Sequence, residues 1–281
     1  MTNDTRSDQR DPTPLSYPGG ETGALLVHGF SGTPGEMRPL ADYLAARGYA
    51  VEAPLLAGHG GTQEQLAAVT WRDWIGSAET ALTTLEARCR TVVLVGFSMG
   101  GAITLTMAAR RRTAGIATLS ALTRIKSPLT PLLPVARRFM PYVYPLRSVD
   151  VRRPEVLERL RDYMPDLDID PSNPAQVAEL RRSVKVSIGA VYELNALLRQ
   201  MRASLPRVTA PALIVQANHD EQIPLSSADE IYRRVGSGDK RIVRLDRGGH
   251  LILAGPDRPQ ACAEVGSFVE HIDDIVAHAK T

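Results

Sequence analysis

Val92-Val93-Leu94-Val95-Gly96-Phe97-Ser98-Met99-Gly100-Gly101 decides the reading of this chain. Four apolar residues, three of them β-branched, run straight into Gly96-Phe97-Ser98-Met99-Gly100, and a helix-forming stretch, Ala102 to Arg110, follows at once. This pattern predicts a strand, a very sharp turn and a helix, with one serine at the apex. A serine hydroxyl is a poor nucleophile, so an enzyme that uses one must hold it near a base and near oxyanion donors. A strained backbone at Ser98 would lift Oγ out of the sheet. Gly96 and Gly100 fall where a Cβ would strike the neighbouring strand or helix. The helix N-terminus after Ser98 adds positive partial charge. Taken alone, G-x-S-x-G is a loose pattern, and a glycine-rich turn with an incidental serine is the plain alternative. The strand before it and the helix after it give the motif its weight.

Working outward, Ala24-Leu25-Leu26-Val27 is a short apolar strand that ends in His28-Gly29-Phe30-Ser31-Gly32. Thr33-Pro34-Gly35-Glu36 has the spacing of a capping box with proline at the first helical position. Met37, Leu40, Tyr43 and Leu44 make the apolar face of the helix it would start. Further strands are expected at 49–53, 115–122, 212–216 and 241–245, and helices at 71–88, 227–235 and 258–277. Alternating strands and helices predict an α/β fold on a parallel sheet. Residues 123–208 break the alternation. Prolines recur there, no strand is legible, and Ile188, Val191, Tyr192, Leu194, Leu198 and Met201 repeat at helical spacing. We read 21–122 and 209–281 as the core, 123–208 as a helical cap over the site, and 1–20 as a disordered or loosely attached tail.

The composition bounds the function. A length of 281 residues, 43% hydrophobic and 23% charged, is that of an ordinary globular protein with ample core. A formal charge of +2 makes no case for nucleic acid, and the paired arginines alternate with acids. Cys89 and Cys262 stand far apart inside expected helices and read as small core residues. No metal-ligand spacing appears. The polar, proline-rich start has no apolar h-region, and no run approaches the ~18 apolar residues of a membrane span. A cytoplasmic protein without stable membrane anchoring is the expectation.

A serine nucleophile needs a base and an acid that orients the base. In a parallel sheet these converge from loops at the C-terminal ends of the strands. The chain has six histidines. His271 and His278 lie in the last helix. His28 ends the first strand and reads as a brace of the oxyanion loop, while His59 sits between glycines and His219 beside Asp220. His250 follows the last strand in Asp246-Arg247-Gly248-Gly249-His250, where glycines would let it swing over Ser98, so it is the candidate base. After the strand 212–216 the candidate acids are Asp220 and Glu221; the plain alternative is that Asp220 is a turn residue and Glu221 a helix-start charge. The oxyanion donors expected are the N–H groups of Met99 and Phe30.

These pieces resemble the α/β-hydrolase superfamily, and more narrowly the small bacterial carboxylesterases and monoacylglycerol lipases. The resemblance rests on Leu25-Leu26-Val27-His28-Gly29-Phe30-Ser31-Gly32, Gly58-His59-Gly60, Asp73-Trp74, Gly96 to Gly101, Gln216 to Glu221 and Gly249-His250. It implies a mostly parallel sheet flanked by helices with a helical cap insertion. It implies a Ser98, Asp220 and His250 triad that cleaves small acyl esters through an acyl-enzyme, with no cofactor and no metal. The apolar stretch Leu129 to Leu146 is the expected acyl lining, with Phe139 and Met140 as candidate contacts. Hydrolases of C–C bonds, perhydrolases and ligand receptors that turn over little share the triad. Haloalkane dehalogenases carry Asp where this chain has Ser98.

Overall fold

In the computed structural model, which describes residues 10–164 and 167–278, every apolar run read as a strand is one. The chain begins with β1 (Leu15–Tyr17), β2 (Thr22–Val27), α1 (Arg38–Ala45), β3 (Ala50–Ala53), α2 (Gln63–Ala67) and α3 (Trp71–Glu86). Next come β4 (Thr91–Phe97), α4 (Met99–Ala108) and β5 (Gly115–Leu119). The cap holds α5 (Leu133–Phe139), β6 (Tyr142–Val143), α6 (Pro154–Tyr163), α7 (Pro174–Ser183), β7 (Val186–Ser187) and α8 (Ile188–Ser204). The chain returns to the core with β8 (Ala212–Ala217), α9 (Ser226–Arg234), β9 (Lys240–Leu245) and α10 (Arg258–His278).

The sheet runs β1-β3-β2-β4-β5-β8-β9, parallel except for β1. Strands β2, β4, β5 and β8 are buried along their whole length. A strand covered on both faces has no wet side, which is why these read as continuous apolar runs rather than as alternation. Helices α1 and α10 close one face of the sheet. Helices α3, α4, α8 and α9 close the other. Because β2, β4, β8 and β9 are parallel, the segments that leave them, carrying Phe30, Ser98, Asp220 and His250, emerge at one edge of the sheet.

Three expectations need correction. The second half of the tail is not loose. β1 pairs antiparallel with β3, Leu15 is buried, and Asp11 bonds Arg38 at 2.6 Å. A three-residue strand set among Pro12, Pro14 and Pro18 leaves no periodic signal; residues 1–9 lie outside the described residues. The cap is not all helix, since Tyr142 and Val143 pair with Ser187 and Val186. Two paired residues are too few to show alternation. The capping box does not close. Thr33 makes no side-chain cap bond, and Glu36 reaches instead to the N–H of Gly29 at 2.9 Å.

Candidate active site

Ser98 has φ 52° and ψ −116°, in the left-handed half of backbone space that a residue with a Cβ avoids. The turn holds it there by donating Ser98 N–H to Leu119 O on β5 at 2.8 Å. Glycine is required on either side. A Cβ on Gly96 would overlap the backbone of Gly100, and one on Gly100 would overlap Val27 O. The close approach of β4, α4 and β2 thus fixes the strained serine, and α4 begins at Met99 with its first N–H groups free of intrahelical partners.

His250 Nε2 lies 3.2 Å from Ser98 Oγ, and His250 Nδ1 lies 2.8 Å from Asp220 Oδ2. Burial works against the Asp220 carboxylate. The hydrogen bond and the charge of His250, together with the N–H of Ile223, outweigh it and hold the carboxyl below its usual value. Asp220 is also the turn residue that its plain reading supposed. Its Oδ1 accepts the N–H groups of Gln222 at 2.9 Å and Ile223 at 2.8 Å. Glu221 points away and pairs with Arg159 of α6 at 2.8 Å, both side chains well exposed.

The loop that carries His250 is tied down on both sides. The buried Asp257 carboxylate accepts Gly248 N–H at 2.7 Å and Arg247 N–H at 3.2 Å, which pins the loop. The His250 ring lies against Phe97, centroids 5.1 Å apart.

His28 is fully buried and braces the loop after β2. Its Nε2 accepts Leu56 N–H at 3.1 Å, so Nδ1 carries the proton and donates to Gly29 O at 2.9 Å. Burial, and then His59 beside it, push its pKa down to about 3, so it stays neutral. His59 is also buried, with its pKa lowered by burial, and packs edge-on against His28, Phe30 and Trp74. Among the described residues neither ring hydrogen-bonds Ser98. His219 borders a cleft of about 560 Å³ that also takes in His250, Gly249, Glu221 and the cap residues Glu158 and Arg159.

Phe139 and Met140, the candidate acyl contacts, lie on the surface of the cap. They are 78% and 54% exposed, and α5 buries none of its residues. The reason is the seat of α8. Its apolar stripe, with Leu194, Leu198 and Met201, joins the core on the α4 side of the sheet, so α5 rests on the outside of α8, tied by Arg137 over the Tyr192 ring.

Three polar residues escaped the sequence reading. Gln216, whose Nε2 donates to Asp220 Oδ2 at 3.1 Å, was legible as the one polar side chain in an apolar buried strand. Asp257 reads as an ordinary helix-start acid, and Glu36 as half of a capping box. Their partners are backbone N–H groups, which carry no sequence signal.

A mostly parallel sheet with a strained serine between strand and helix, and with its acid and histidine after later strands, defines an α/β-hydrolase. The chain belongs to the family described as Serine aminopeptidase, S33 (Hydrolase_4), whose model matches residues 23–257. It is 34% identical over 247 residues to the thermostable monoacylglycerol lipase of Bacillus sp. (strain H-257), covering 88% of this chain and 89% of that protein. It is 27% identical to the carboxylesterase of Bacillus subtilis (strain 168), covering 93% and 98%. A solved structure reported for the metagenome-derived lipolytic enzymes LipS and LipT is 28% identical, with TM-score 0.76, over 92% of this chain and 98% of that one.

Proposed function

We propose that this chain is a serine carboxylic-ester hydrolase of the monoacylglycerol lipase or carboxylesterase type, working through an acyl-enzyme. The observation that carries the reading is the continuous line from Ser98 Oγ through His250 to Asp220, at 3.2 and 2.8 Å. The relatives named for lipase and esterase activity support the ester as substrate.

Each step follows from the protonation that this line imposes. Asp220 accepts the Nδ1–H of His250, so Nε2 presents its lone pair to the serine hydroxyl. Ser98 Oγ attacks the ester carbonyl while its proton passes to Nε2. The carbonyl oxygen becomes an oxyanion, held by the N–H groups of Phe30 and Met99. When the intermediate collapses, the bond to the alcohol breaks and Nε2 returns its proton to the leaving oxygen. Water then gives a proton to Nε2 and attacks the acyl-enzyme. The second collapse reprotonates Ser98 and releases the carboxylic acid. Asp220, kept ionised by its hydrogen bonds, stabilises the imidazolium in both halves. No cofactor enters the cycle.

The test is a panel of p-nitrophenyl esters of rising acyl length with 1-monoacylglycerols alongside. Turnover of esters that is lost in Ser98→Ala supports the reading. Wild type that turns over none of them, or does so no faster than Ser98→Ala, overturns it.

A further inference from the structure

The loop from His28 to Gly32 folds around a carboxyl group. Glu36 is half-buried, with Gly29 and Gly32 packed against its carboxyl and Oε2 accepting Gly29 N–H at 2.9 Å. A Cβ placed on Gly29 would stand 3.3 Å from Oε2, and one on Gly32 would overlap the carboxyl outright. Phe97, Leu251, Leu253 and Ala254 wall the remaining small recess beside Glu36, and none of them carries charge. Burial pushes the Glu36 pKa up to about 7 against the pull of the Gly29 N–H.

Two peptide planes meet at Gly29. One contains Gly29 C=O and Phe30 N–H. Its carbonyl accepts His28 Nδ1–H at 2.9 Å and Gly32 N–H at 3.2 Å. A trans peptide sends its N–H opposite its carbonyl, so these bonds aim the Phe30 N–H. The other plane contains Gly29 N–H, and Glu36 holds it. Between the planes stands a glycine, the residue most free to rotate. Without Glu36 the second plane has one tether fewer, a single residue from the oxyanion donor.

We infer that Glu36 is a positioning residue for the oxyanion hole, fixing the direction of the Phe30 N–H by holding the peptide before it. This rests on the donor role proposed for Phe30. It requires an acceptor at Oε2 and no negative charge, so an amide in its place serves as well.

Gly32 gives a second way to break the contact. Its φ lies outside the left-handed region, and the three atoms nearest an added Cβ all belong to Glu36. Alanine there displaces the carboxyl while Glu36 remains in the chain. The experiment is a double-mutant cycle of Glu36→Ala and Gly32→Ala, with Glu36→Gln beside it, reading kcat and KM on p-nitrophenyl butyrate together with thermal melting. Each single alanine variant is expected to lower kcat about 10- to 100-fold, part of the loss seen when a whole oxyanion donor is removed. KM should change less than about threefold, because the interaction belongs to the transition state. Glu36→Gln should keep most of kcat, and the double variant should be no worse than Glu36→Ala. If Glu36→Ala does not fold, the contrast between Gly32→Ala and Glu36→Gln carries the test. The inference is overturned by wild-type kcat in Gly32→Ala, by equal losses in Glu36→Gln and the alanine variants, or by a Gly32→Ala loss that persists in full without Glu36. Wild type inactive on every ester overturns the parent reading and this inference with it. An active wild type with uncoupled variants overturns this inference alone.

Discussion

Asp220 Oδ2 accepts the Nδ1–H of His250 at 2.8 Å, while Oδ1 of the same carboxylate closes its own turn on the N–H groups of Gln222 and Ile223. One side chain therefore shapes its loop and orients the imidazole. Asp220→Asn keeps the size and swaps one acceptor for a donor, so His250 loses the partner that sets its tautomer. A loss of about 10⁴-fold in kcat is expected, as for the comparable change in a serine-protease triad. Glu221→Gln breaks only an exposed pair with Arg159, worth about 0–1 kcal/mol, and should leave kcat within a few-fold. Steady-state kinetics of the two variants side by side check this, and a larger loss in Glu221→Gln would move the acid by one residue.

The pin under His250 gives a second expectation. Asp257→Ala leaves the N–H groups of Arg247 and Gly248 without their acceptor. Both bonds are only part-buried and water can take over some of the lost acceptor, so the cost stays below the roughly 1–3 kcal/mol of a fully buried unsatisfied group. The variant should melt lower and lose kcat more than it raises KM, since the loop carries the base rather than a substrate contact. Thermal melting with kinetics below the transition reads both, and an unchanged Tm would show that the loop does not need the carboxylate.

Glu36 makes stability depend on pH. Its ordinary value is 4.5, and folding raises it to about 7. Between these values the folded protein keeps a proton that the unfolded chain has released. Raising pH across that window therefore removes stability. Below it both states are protonated, and above it both are ionised. The Tm of wild type minus that of Glu36→Gln should fall as pH rises from 4.5 to about 7 and stay level beyond. A difference that does not move with pH would mean that the carboxyl is not buried in the folded state.

Phe139→Ala and Met140→Ala remove side chains that face solvent. Surface changes of this kind shift stability by less than about 0.5 kcal/mol. Any change in acyl-length preference then reports contact with substrate and not damage to the core. Chain-length profiles with matched melting curves decide the point. A profile unmoved by both substitutions removes these two residues from the acyl site.

The legible part of this protein was the part written in side chains with a period or a motif. Continuous apolar runs gave the buried parallel strands, and the glycines about Ser98 gave the turn, because nothing larger fits against Val27 and Gly100. His250 followed from its place after the last strand. Asp220 was separated from Glu221 by resemblance alone; a carboxylate one residue along a turn points elsewhere, and only coordinates show which. The contacts of Glu36 and Asp257 were illegible because a backbone N–H is common to almost every residue. The cap stretch from Leu129 to Leu146 is mostly exposed, with Leu146 buried; an apolar run shows that a segment can be buried and not whether a neighbour covers it. Here α8 spends its apolar stripe on the core, and α5 is left outside.

The central claim is that Ser98 is the nucleophile. It is tested most directly by ester hydrolysis in a pure preparation of Ser98→Ala whose melting curve matches wild type. The account predicts loss of hydrolysis to the level of the enzyme-free rate or little above it, with a fluorophosphonate labelling wild type at Ser98 and leaving the variant unlabelled. Hydrolysis by Ser98→Ala near the wild-type rate would contradict it.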